Sequence, residues 1–186
     1  PGDTSDWRGP VTFTTPCETF MAPYFEGFED GVQPDCWDNI TNNTPGTSAN
    51  VFWRFNTGVT GGAANNGKPT GTYAWVDGSS PTPDTTLLIT PFIDLSALST
   101  PALGFEWFSN NTQTPGDNMP LVVALFDGNS WTNIDTLSGD STEWRYEFYD
   151  LSAWAVQTIR ISFNVDQTAT TSFAFDNDIL LDDVEI

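Results

Sequence analysis

Ile159-Arg-Ile-Ser-Phe-Asn-Val165 alternates strictly between apolar and polar side chains. Successive side chains of a strand point to opposite faces, so Ile159, Ile161, Phe163 and Val165 share one face and Arg160, Ser162 and Asn164 the other. One buried face and one wet face is the pattern of an antiparallel strand in a layered sheet. Moving outward, short runs of the same kind recur at 24–29, 52–55, 72–76, 86–90, 102–109, 121–126, 131–135, 144–150 and 179–186. Breakers separate them, among them Pro45-Gly46, Gly61-Gly62, Asn66-Gly67 and Pro115-Gly116. Phe126-Asp-Gly-Asn-Ser-Trp131 joins two runs through an Asp-Gly turn and predicts a hairpin. No stretch holds a 3.6-residue period over an ordinary helix length; 96–98 and 152–156 read as single helical turns. The expected fold is all-β, an antiparallel β-sandwich of jelly-roll type.

The last run, Ile179-Leu-Leu-Asp-Asp-Val-Glu-Ile186, sets carboxylates into an apolar alternation. Unbroken alternation places Leu180, Asp182, Val184 and Ile186 together and Ile179, Leu181, Asp183 and Glu185 opposite. If the first set packs inward, Asp182 goes with it. A buried carboxylate needs hydrogen bonds, a cation or a metal. Bases are scarce, so Ca²⁺ is a candidate ligand for Asp182; the alternative is a strand end whose acids face water, and Asp183 and Glu185 read that way.

Composition narrows the function. The chain has 186 residues with 25 acids against five bases, a net charge of −20, and no histidine. That charge repels nucleic acid, anionic lipid and acidic polysaccharides. The lack of histidine removes the Ser-His-Asp triad and histidine-ligated metal centres. Eight Trp and 14 Phe are too many for a disordered chain. No run is apolar enough to span a bilayer as a helix. Residues 1–16 read as a linker or leading edge, with a strand candidate at 11–15, and 17–186 as one domain. Cys17 and Cys36 would close a modest loop as a disulfide; two buried thiols are the other reading, and an extracellular composition favours the bond. Trp107 reads as core, and Trp144, Tyr146 and Phe148 share a strand face that also reads as core.

Several segments then resemble a family in order. Phe25-Glu-Gly-Phe-Glu-Asp-Gly31 followed by Pro34-Asp-Cys-Trp37 is similar to the opening of cleaved-adhesin and MAM-like domains. Leu88-Ile-Thr-Pro-Phe-Ile-Asp-Leu-Ser96, Leu103-Gly-Phe-Glu-Trp-Phe-Ser109, the stretch from Trp144 to Asp150-Leu-Ser152, and the last two runs resemble later strands of the same family. The resemblance implies a calcium-binding β-sandwich in a larger secreted or surface protein. By position it implies Glu29 and Asp182 as metal ligands, with Asp77 and Asp183 as further candidates. The function it implies is a non-catalytic module for adhesion or carbohydrate binding, whose partners are carbohydrate or extracellular protein and neighbouring domains. The alternatives are a structural or protein-interaction accessory to a secreted enzyme such as a protease and, last, a glycosidase or lyase. Two cysteines, fewer than in animal MAM domains, favour the bacterial branch.

Overall fold

In the computed structural model, residues 16–41, 52–56, 71–78, 85–111, 114–166 and 178–186 are described. The expected leading segment and its strand candidate at 11–15 lie outside them. Thirteen strands follow in chain order: β1 (Phe20–Met21), β2 (Phe25–Glu26), β3 (Asp38–Thr41), β4 (Arg54–Asn56), β5 (Tyr73–Val76), β6 (Thr85–Ile89), β7 (Ile93–Asp94), β8 (Ala102–Ser109), β9 (Leu121–Phe126), β10 (Trp131–Leu137), β11 (Arg145–Asp150), β12 (Thr158–Asp166) and β13 (Ile179–Glu185). They form two sheets. In the seven-stranded sheet β12 lies centrally, paired with β6, β7 and β9, while β1, β3 and β10 complete the edges. In the six-stranded sheet the order is β11-β8-β13-β5-β4, with β2 on the end of β13. Every pair is antiparallel except β1 with β7. The expected antiparallel sandwich is therefore observed.

The core between the sheets follows the alternation. Ile159, Ile161, Phe163 and Val165 are buried from β12, Leu121, Val123 and Leu125 from β9, and Leu103, Phe105 and Trp107 from β8. Phe105 meets Phe163 edge to face at 5.1 Å, joining the sheets at their centres. The predicted hairpin forms between β9 and β10; Asp127 Oδ1 accepts the amides of Asn129 and Ser130 across its tip. Its carboxyl is held below the usual range by those two hydrogen bonds. The expected turn at 152–156 is a 3₁₀ turn at Ser152–Trp154. Cys17 and Cys36 form a disulfide, tying the segment before β1 to the one before β3.

Three expectations change. The run 24–29 is a strand only at its start, because the Phe28 amide turns back to Glu26 Oε1 at 2.7 Å and Phe28 takes a positive φ. The run 144–150 faces the other way: Arg145, Glu147 and Tyr149 lie on the inner side, while Tyr146 and Phe148 point to solvent. Trp107 makes this possible. Its Nε1 donates to Glu147 Oε1 at 2.9 Å, and the Arg145 guanidinium sits 3.5 Å over its ring, so each of the two charged residues has a partner along the inner edge. Last, β13 carries a bulge between Asp182 and Glu185, with Asp183 at positive φ. One extra residue reverses the side-chain parity. Ile179, Leu181, Val184 and Ile186 therefore face the core, and Leu180 and Asp182 turn to the outer face. Asp182 is still only 1% exposed, as expected, but it is not on the side of Val184 and Ile186.

Candidate functional site

The outer face of the six-stranded sheet begins, at one end, with a second small hydrophobic cluster. Tyr73, Trp75, Phe108 and Leu180 are buried there and Trp144 covers them. Trp144 meets Tyr73 at 5.7 Å and Phe108 at 6.0 Å. Arg54 lies 4.8 Å over the Trp75 ring and 3.5 Å from Asp77 Oδ2. Burial first, then the charges of Asp178 and Asp182, hold the Tyr73 hydroxyl above its usual pKa. This end of the face is closed.

The other end is open. Phe148 of β11 pairs with Gly104 of β8, Gly104 with Glu185 of β13, and Glu185 with Phe25 of β2. Adjacent strands lie about 4.8 Å apart, so this row runs roughly 14 Å from one exposed phenyl ring to the other. Phe148 is 64% exposed and Phe25 62%. Together with Tyr146, also exposed, they give this end of the sheet a run of water-facing rings, and contiguous apolar surface of this kind marks binding sites. Gly104 makes the floor between them. A Cβ there would meet the Tyr146 hydroxyl and would stand 2.8 Å from Glu185 Oε1. Only glycine lets those two groups close over the strand, where the Tyr146 hydroxyl donates to Glu185 Oε1 at 2.7 Å. That hydrogen bond first, then partial burial and the charges of Glu185 and Glu106, raises the Tyr146 pKa.

Two clefts share this floor. One, of about 410 Å³, is mainly apolar and is lined by Pro23, Phe25, Leu98, Gly104, Phe148 and Ile186 among others. The second, of about 300 Å³, is lined by Phe25, Glu106, Tyr146, Asp183 and Glu185. The bulge in β13 supplies its chemistry: Asp183 and Glu185 both reach the outer side within three residues. Flat apolar rings beside carboxylate and phenol oxygens suit a ligand with apolar faces and a polar rim, such as a sugar ring.

The residues expected to hold a metal are not gathered here as a set. Asp182 and Asp183 are adjacent at the bulge, where the Asp183 amide donates to Asp182 Oδ1 at 2.9 Å. Asp77 pairs with Arg54. Glu29 lies in the turn after β2, and its Oε2 accepts the Thr72 amide at 3.3 Å. β2 pairs with β13, yet the chain turns away before Glu29. Among the described residues no three acidic or cysteine side chains are placed to hold one ion.

The residues of the open groove, Phe25, Gly104, Glu106, Tyr146, Phe148 and Glu185, were not singled out as a site by the sequence. The available signal was Arg145 and Glu147 alternating with the aromatics of β11. Two charges of opposite sign on one face of an edge strand leave both parities open. A further aromatic ledge lies on the opposite sheet, where Trp131 contacts Phe126 at 5.2 Å and Phe126 contacts Phe92 at 6.5 Å. Arg160 lies 5.1 Å over Phe92 and is bound to Asp38 and the Thr90 carbonyl.

No family model matches the chain, and no curated protein matches it by sequence. Solved structures do. The K1 cleaved adhesin domain of Lys-gingipain from Porphyromonas gingivalis W83 aligns with 88% of this chain and 96% of its own, at 19% identity and a TM-score of 0.54. TmCBM61, solved in complex with β-1,4-galactotriose, aligns with 86% of this chain and 92% of its own, at 12% identity and a TM-score of 0.56. At these identities the likeness is one of architecture: the chain shares its two-sheet β-sandwich with a bacterial adhesin domain and with a galactotriose-binding protein.

Proposed function

We propose that this domain is a non-catalytic carbohydrate-binding or adhesion module of a larger secreted or surface protein, and that it takes its ligand in the groove between Phe148 and Phe25. The observation that carries this reading is the row Phe148–Gly104–Glu185–Phe25, two exposed rings flanking a glycine floor and an acceptor. Sugar rings would lie on the phenyl faces and donate hydroxyls to Glu185 and its neighbours. The order of motifs resembling cleaved-adhesin and MAM-like domains supports the same reading, and the disulfide supports an extracellular setting. Among the described residues no helix is long and apolar enough to cross a membrane.

Calorimetric titration with neutral oligosaccharides, on the wild type and on Phe148→Ala and Phe25→Ala, tests the proposal. Binding that both substitutions weaken at unchanged melting temperature supports it. Binding indifferent to both overturns the assignment of the groove. A second reading, an accessory domain that docks on protein, is favoured by the Trp131–Phe126–Phe92 ledge; glycan silence together with a partner lost on Trp131→Ala would establish it instead.

Calcium is a second element of the proposal. Its support is the buried Asp182 beside Asp183 at the bulge, two carboxylates of the oxygen-donor kind that calcium requires. Glu29 and Asp77, each engaged elsewhere, are not included in it.

A further inference from the structure

We infer that the groove takes an internal stretch of a linear, neutral sugar chain that spans both exposed rings, and not a single sugar or a chain end. This rests on the groove reading above and adds the length and course of what fills it. The two rings set the length. Phe148 and Phe25 stand at the ends of a row that crosses β11, β8, β13 and β2. A pyranose unit of a β-linked chain is about as long as the ~4.8 Å spacing between strands. Three strand intervals separate the rings, so sugars stacked on both are three units apart in their chain. A disaccharide reaches one ring only. The row also fixes the course. A peptide added to a sheet edge runs along the strands, whereas an occupant that touches both rings runs across them.

The surface continues past Phe25. Tyr24 and Phe25 line the apolar cleft that holds Phe148, and they also line a further cleft of about 360 Å³, bordered by Phe20, Val32 and Gln33 among others. Its wall is built from Phe25-Glu-Gly-Phe-Glu-Asp-Gly31 and the residues that follow, one of the motifs of the sequence. Phe20 and Val32 are exposed there. Gln33 gives one amide hydrogen to the Trp37 carbonyl at 2.6 Å and carries a second N–H and an oxygen. An apolar ledge beside a neutral amide that donates and accepts matches a sugar ring and its hydroxyls. At the opposite end, among the described strands, β11 pairs only with β8, so Phe148 stands on a sheet edge. A chain can therefore run beyond both rings. The net charge of −20 excludes an acidic chain.

The test is calorimetric titration with linear β-1,4-linked oligomers of glucose, mannose and galactose, from two to six units long, each with a free and with a blocked reducing end. For the sugar that binds, affinity should rise at least ~10-fold between two and four units, and blocking the end should leave it unchanged. Phe148→Ala should flatten that rise. Val32→Asp, an exposed position past Phe25, should keep the four-unit affinity and remove the further gain from five and six units. Both side chains face water, so melting temperatures should hold; the wild-type length series decides by itself if one variant fails to fold. Equal affinity for two and four units overturns the length. Loss of binding on blocking the end overturns the internal course. Either result leaves the carbohydrate reading standing, whereas binding of no oligomer overturns both.

Discussion

Gly104→Ala is the smallest change that addresses the groove. The new methyl carbon would stand 2.8 Å from Glu185 Oε1 and closer still to the Tyr146 hydroxyl, so both groups must move. The exposed hydrogen bond between them contributes about 1 kcal/mol. Replacing glycine by alanine in extended backbone returns ~0.4–1 kcal/mol through the unfolded chain. The two effects nearly cancel, and the melting temperature should move by no more than ~4 °C. The local effect should be large. Tyr146 is held above its ordinary pKa of 10.0 chiefly by donating to Glu185, so breaking that bond should lower its titration toward 10.0. Ligand affinity should fall roughly 10- to 100-fold, ~1.4–2.8 kcal/mol, because the floor is raised beneath the bound ring. Carbon-13 resonances of labelled tyrosine follow the titration, and calorimetry follows the binding. An unmoved Tyr146 titration would refute the closure over glycine. A moved titration with full affinity would refute the ligand's position on that floor.

Asp140 accepts the amides of Asn111 and Gly116 and the side chain of Asn118, pinning the loop after β8 to the one after β10. Asp140→Ala should destabilise the fold by ~1–3 kcal/mol in denaturant melts, and Asp140→Asn should do so less. Burial alone would raise that carboxyl, but these hydrogen bonds and Arg145 together hold it below 3.8. Its contribution is therefore complete above 3.8 and is lost as pH falls through the lower folded value, which the wild-type acid-melt difference from Asp140→Ala should show. Reduction of Cys17–Cys36, 19 residues apart, should cost ~3 kcal/mol, or roughly 6–12 °C by calorimetry. Calcium at a hundredfold excess over its Kd should add about 2.7 kcal/mol, and Asp182→Asn should abolish that shift; melting curves with calcium and with EDTA measure both.

The sandwich was legible because β12, at the centre of the seven-stranded sheet, keeps strict alternation. β12 presents apolar residues at every second position and buries them, and beside it β9 buries every second residue of an unbroken apolar run. The site was less legible for two physical reasons. A bulge leaves no mark in a sequence of mixed acids and aliphatics, so the parity of Val184 and Ile186 against Asp182 was read from an unbroken strand. On β11 the aromatics read as core, because burial is the ordinary fate of Trp, Tyr and Phe. The inner face instead went to Arg145 and Glu147, through contacts with Trp107 that only the sheet register creates. Glu29 falls just beyond β2, the strand that pairs with β13. A Phe28 with positive φ intervenes, and nothing in Phe28-Glu29 announces it.

The middle of each sheet belongs to the last two of the described strands. β12 holds β6, β7 and β9 together, and β13 holds β2, β5 and β8. Until Thr158–Asp166 and Ile179–Glu185 have been synthesised, the earlier strands have edges but no centre. Domains whose early segments pair with one another can fold while they are being made. Here β1 with β7, β3 with β6, β4 with β5, β8 with β11 and β9 with β10 can pair earlier, but joining those pairs into two sheets waits for β12 and β13 and links strands far apart along the chain, which makes it slow. A truncation just before Thr158 should therefore leave isolated strand pairs and neither complete sheet.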